Sequence, residues 1–123
     1  MGSLATSNTY QMIECPDMFR MGDKYILFYC PQYRDNEKDI PLKSFSVYKL
    51  IDLDETTGEI DDKNLDENYF MMDYGFDFYA PQVMQDEKNN RCLMIAWLDM
   101  WESTITVKVS SSIPVSMAED VCT

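Results

Sequence analysis

The 123-residue chain reads as an all-β protein built from antiparallel strands. Three observations carry that expectation. Apolar and polar residues alternate with period two over residues 44–53 (SFSVYKLIDL) and 104–109 (TITVKV), and both runs are rich in β-branched and aromatic side chains. Short polar stretches with turn chemistry separate such runs. No segment combines a 3.6-residue apolar period with helix caps; the tail at 114–123 holds at most one helical turn.

Taken in order, residues 17–29 (DMFRMGDKYILFY) predict a hairpin whose Met-Gly-Asp turn uses the backbone freedom of Gly22 and whose second strand, 25–29, is buried. Residues 30–43 (CPQYRDNEKDIPLK) carry two prolines and no period, which predicts an exposed loop. The strand at 44–53 runs into DETTGE, a turn around Gly58. Short strands are expected at 69–72 and 76–84, with bends at Gly75 and Pro81. The connection QDEKNNR then leads into a strand at 92–98 (CLMIAWL). Such a pattern fits a sandwich, a barrel or propeller blades alike.

Composition narrows the function. Apolar residues make up 46% of the chain, enough for a core, and the length suits one domain. Twenty-two acidic against 10 basic residues give a net charge of −12, which repels phosphate backbones and anionic lipid, so neither nucleic acid nor a membrane is an expected partner. The four cysteines, Cys15, Cys30, Cys92 and Cys122, form no CxxC pair and read as thiols packed like small hydrophobes, which points to a cytoplasmic setting. The chain has no histidine, which removes the Ser-His-Asp and Cys-His nucleophiles and the HExxH zinc site. Any chemistry therefore runs on carboxylates. The acidic run 52–67 fails the calcium-loop register, with Thr57 where glycine is needed and Lys63 where a bidentate glutamate is needed. No metal or other cofactor is expected.

Three segments stand out when taken together: Glu14-Cys15-Pro16-Asp17 (ECPD), residues 73–82 (DYGFDFYAPQ) and residues 91–98 (RCLMIAWL). In identity and order they resemble motifs of the β-fructosidases of glycoside hydrolase family 32, the invertases and sucrose-6-phosphate hydrolases. The stretch YKLIDLDETTGEI between them is similar to the family as well. The resemblance implies two to three blades of a five-bladed β-propeller, incomplete in this chain, over residues 5–113. Residues 1–4 (MGSL) read as an added leader and 114–123 as an irregular tail.

The resemblance also implies roles. Glu14 matches the glutamate that acts as general acid and then as general base in a retaining mechanism, in which two carboxyl groups about 5–5.5 Å apart flank the glycosidic bond. Tyr79 matches a tyrosine lining the substrate pocket beside the acid, and Trp97 an indole platform for the furanose ring. Phe78, Asp77 and Cys15 are expected to line the same pocket, with Asp73 at its rim. Alternation along a strand would turn Cys15 away from Glu14. The family's nucleophile segment, WMNDPNG-like, and its RDP motif are not found here; Arg34-Asp35 is followed by Asn36 and lies after ECP. The expectation is a β-fructofuranosidase fragment for sucrose, sucrose-6-phosphate or fructans, inactive alone, or else a non-catalytic sugar-binding or self-assembling segment. Unpaired blade faces would favour a homo-oligomer.

Overall fold

The computed structural model describes residues 3–33, 44–75 and 78–98, and the backbone of 119–120. It is all-β, with every strand ladder antiparallel. Strand β1 (Met12–Met21) and strand β2 (Lys24–Gln32) form the expected hairpin, and Gly22 takes the turn at φ 65°. Next to β2 lies β3 (Val47–Ile51), and β6 (Phe70–Met71) closes a four-stranded sheet in the order β1-β2-β3-β6. Strands β4 (Leu53–Asp54) and β5 (Glu59–Ile60) make a small hairpin with Gly58 at φ 72°. Asp54 shapes that turn by accepting hydrogen bonds from the Thr56 and Thr57 amides, which hold its carboxyl below the usual range.

A second sheet contains β7 (Phe78–Asp86), β8 (Arg91–Leu98) and β9 (Glu119–Asp120). A 3-10 turn at Glu87–Asn89 joins β7 to β8, with Asn90 left-handed. The short β9 lies within the segment expected to be an irregular tail; the rest of 114–123, with Cys122, and the strand expected at 104–109 lie outside the described residues.

The two faces of β2 feed two cores. Leu27 and Tyr29 join Tyr10, Phe45, Val47, Ile51, Ile60 and Leu65 on one side. Ile26 and Phe28, with Phe19 of β1, pack against Cys92 and Met94 of β8 on the other, so one apolar layer glues the two sheets together. Phe19 and Phe28 stack with ring centroids 5.6 Å apart.

The expected loop at 30–43 is corrected at its start, since Cys30, Pro31 and Gln32 continue β2. Cys30 is fully buried, and a buried backbone has to be paired. The Gln32 carbonyl accepts from the Gln11 amide and the Pro31 carbonyl from the Phe45 amide. Residues 34–43 lie outside the described set.

Within the first core sits a charged residue. Lys49 is fully buried on the same face as Leu27 and Tyr29. Its ammonium donates to the Asn64 carbonyl at 2.5 Å and pairs with Asp62 at 2.7 Å, which meets the requirement that a buried charge be bonded and neutralised. The Lys49 hydrogen bond holds the Asp62 carboxyl below its ordinary value.

Candidate functional site

Where the two sheets meet, side chains from three strands converge on Glu14. In the β1-β2 ladder Glu14 lies opposite Cys30 and Met12 opposite Gln32, so Gln32 is the diagonal neighbour of Glu14 on the same face. Gln32 Nε2 donates to Glu14 Oε2 at 2.8 Å. The Tyr79 hydroxyl, arriving from β7, donates to the same oxygen at 2.8 Å and accepts from Gln32 Nε2 at 2.9 Å. These contacts form a closed triangle of hydrogen bonds around one carboxylate oxygen. Glu14 and Gln32 are half-buried and Tyr79 is buried. Burial chiefly, and the neighbouring Glu14 in addition, push the Tyr79 phenol up, so it keeps its proton and remains a donor at any working pH.

Two similar backbone devices aim these residues. The β1-β2 register shifts between Glu14 and Asp17, and the β7-β8 register shifts between Tyr79 and Gln82. Each bulge has the same grammar: the polar site residue, a left-handed residue, a proline and a second polar residue, as Glu14-Cys15-Pro16-Asp17 and Tyr79-Ala80-Pro81-Gln82. Cys15 has φ 48° and Ala80 has φ 52°. Proline is tolerated in strands at bulges because the ladder is broken there already, and bulges re-aim side chains beside functional sites. A residue with a Cβ in the left-handed region costs about 1–3 kcal/mol, which the surrounding packing has to offset.

Asp17 contributes to that packing. One of its oxygens accepts from the Val83 amide at 2.7 Å, just beyond the β7 bulge, and the other from its neighbour Met18 at 2.8 Å. The first carboxylate of ECPD thus sits in the triangle while the second fastens β1 to β7. Ser46 adds another tie, donating to the Phe78 carbonyl at 3.1 Å with the Cys30 thiol 3.3 Å from its hydroxyl.

The other residues singled out in the sequence have defined places. Cys15 does not turn to the far face as strict alternation requires: the bulge suspends alternation, and Cys15 packs with Ala80 against Cys30 and Tyr79. Burial first, and Glu14 second, push its thiol up. Cys15, Cys30 and Cys92 are thiols, with Cys30 and Cys92 buried and Cys15 half-buried. Phe78 packs on the apolar layer between the sheets. Trp97 lies opposite Tyr79 in the β7-β8 ladder and is 56% exposed. Asp73 accepts from the Gly75 amide at 2.7 Å and shapes the turn before β7; a Cβ at Gly75 would come within 2.8 Å of its carboxylate. Asp77 lies outside the described residues. Among the described residues no group of histidine, cysteine, aspartate and glutamate could hold a metal ion, and no helix is long and apolar enough to cross a membrane.

Gln32 and Asp17 are the two contributors that motif reasoning did not assign. The signal for Gln32 was available only in combination: a polar residue directly after a buried run, placed on the Glu14 face once the hairpin register is known.

Residues 2–117 match the model of the glycosyl hydrolases family 32 N-terminal domain. The sucrose-6-phosphate hydrolase of Salmonella typhimurium is 36% identical over 92 residues, covering 74% of this chain and 19% of that protein. The raffinose invertase of Escherichia coli is 33% identical over 97 residues, covering 79% and 20%. Among solved structures, a GH32 β-fructofuranosidase of Bombyx mori superposes with a TM-score of 0.59 at 33% identity, over 73% of this chain and 18% of that one. A mutant of the same enzyme in complex with sucrose matches equally well. The chain spans about a fifth of the length of these relatives. With residues 2–117 of its 123 matching the family model, this chain belongs to glycosyl hydrolase family 32.

Proposed function

We propose that this chain is the portion of a retaining β-fructofuranosidase that carries its acid/base glutamate, Glu14, acting on sucrose, sucrose-6-phosphate or a fructan. The observation that carries the reading is the triangle at Glu14: a half-buried carboxylate, fixed by two donors from other strands, in the motif position where the family keeps its acid. A proton donor has to be held within reach of the leaving oxygen, and two hydrogen bonds on one carboxylate oxygen provide that orientation. Tyr79 orients the carboxyl, Trp97 offers an exposed indole face to a furanose ring, and Cys15 packs beside Tyr79. The names of the relatives support a fructoside as the substrate class.

In this reading the strands are two to three blades of a five-bladed propeller. A double displacement needs a second carboxylate as nucleophile, and the family's nucleophile motif has no match among these 123 residues. This chain alone is therefore catalytically incomplete. The protein works in the cytoplasm, without cofactor, and self-associates. The alternative is a non-catalytic sugar-binding or self-assembling segment, favoured by the open apolar face of the second sheet, where Met84, Ile95 and Trp97 are each 56% exposed.

Fructose release from sucrose and sucrose-6-phosphate, with Glu14→Gln as control, tests the reading alongside a fructoside titration followed by Trp97 fluorescence. The expected outcome is no release; no release with a fluorescence change on adding fructoside would favour the sugar-binding alternative. Release that Glu14→Gln abolishes would overturn the claim of catalytic incompleteness. Silence in both assays would leave the self-assembling alternative.

A further inference from the structure

The hydrogen-bond triangle constrains where a proton can sit on Glu14. A carboxylate only accepts, so Gln32 has to turn its amino group, not its carbonyl, toward Glu14. One amide hydrogen goes to Glu14 Oε2 and the other to the Tyr79 oxygen. Because the phenol oxygen accepts from Gln32, its own hydrogen points to Glu14 Oε2. Both donors aim a hydrogen at Oε2 and neither at Oε1, so a hydrogen carried on Oε2 would meet theirs, whereas one on Oε1 would not.

We infer that Gln32 is a positioning residue that, with Tyr79, assigns the exchangeable proton of Glu14 to Oε1. This rests on the reading of Glu14 as the acid/base group and deepens it. The protonated acid keeps Oε2 as its carbonyl oxygen, still accepting both hydrogen bonds, while Oε1 carries the hydrogen. Proton donation breaks the Oε1–H bond and leaves its electron pair on Oε1; the leaving-group oxygen takes the proton. In the second half of the cycle that same pair takes a proton from water, whose oxygen bonds to the glycosyl carbon as the bond to the nucleophile, supplied from outside these 123 residues, breaks. Neither Gln32 nor Tyr79 has to move in either step, so the site is organised in advance for both directions of transfer.

Infrared difference spectroscopy on the chain with 13C-labelled glutamate side chains tests this. The Glu14 band is isolated by subtracting the spectrum of Glu14→Gln, and the sample is acidified until the carboxyl is protonated. If Oε2 is the carbonyl oxygen, the C=O stretch lies low, at the position of an acid whose carbonyl accepts two hydrogen bonds. It then rises in Tyr79→Phe, which keeps the ring packing, and in Gln32→Ala, and rises furthest in the double variant. A band at the position of a donor-free carbonyl, unmoved by either substitution in a folded chain, would overturn the assignment. In a second readout, the 15N-labelled Gln32 side-chain amide signals should follow the titration of Glu14 and lose that pH dependence in Glu14→Gln. Amide signals that ignore that titration would likewise count against the proposal. Failure to bind any fructoside would count against the functional reading and leave these spectra unchanged, so the two failures are separable.

Discussion

Glu14, Tyr79 and Gln32 differ in how visible they are before folding. The first two stand inside motifs whose identity and order carry the family resemblance. Gln32 follows a buried run and gains its meaning only from the register that sets Met12 opposite it and Glu14 diagonal to it. Replacing Tyr79 with phenylalanine keeps the buried ring and removes one donor from Glu14 and one acceptor from Gln32. The expected cost is about 1 kcal/mol in urea unfolding. Lys49 is a harsher case. Period two assigns it to the core face, and charge alone would assign it to the surface; the structure resolves the conflict by supplying Asp62 and the Asn64 carbonyl. Asp62→Asn leaves that ammonium without its counter-charge and should cost about 3 kcal/mol. The pH dependence follows from the same pair. The folded-state value of Asp62 is depressed, so its contribution is complete above the unfolded value of about 3.9 and is lost as pH falls through the lower folded value. Acid titration of stability should therefore show a shallower loss below about pH 4 in Asp62→Asn than in the parent chain.

At the scale of elements, the hairpins were legible because glycine and acidic turn residues punctuate alternating runs, and Gly22 and Gly58 take positive φ as expected. The bulges were not, since a proline in a strand reads as a bend when its partner strand is unknown. The outcome is two matched interruptions that present Glu14 and Tyr79 to each other across the junction of the sheets. Ala80→Val places a β-branched side chain at φ 52° and should destabilise the chain by about 1–3 kcal/mol, whereas Ala80→Gly fits that conformation without strain. Chemical denaturation of the pair separates backbone strain from loss of packing. Asp17→Ala leaves the Val83 amide without its acceptor at the seam and should cost a similar amount, about 1–3 kcal/mol.

Across the whole molecule, the second sheet has one face packed and one face open. Cys92 and Met94 point into the shared core, while Ile95 and Trp97 of the same strand, with Met84 of β7, lie largely in solvent. The apolar run at residues 92–98 after the polar connection QDEKNNR made that strand recognisable but could not tell which face a second layer covers. Self-association through the open face has to work against a net charge of −12, so screening favours it. Light scattering should show a mass that rises with protein concentration and more steeply at high salt, and Ile95→Lys should suppress the rise. A stable monomer at high concentration and high salt would count against association.

The central claim is that Glu14, held by Gln32 and Tyr79, is the acid/base group of a fructoside hydrolase site. The most direct measurement replaces the 92-residue matched segment of the Salmonella typhimurium sucrose-6-phosphate hydrolase with the corresponding residues of this chain and follows fructose release from sucrose-6-phosphate. An active chimaera is expected, in which Glu14→Gln lowers the rate about a hundredfold or more. A folded, active chimaera whose rate is the same with glutamine at that position would contradict the claim.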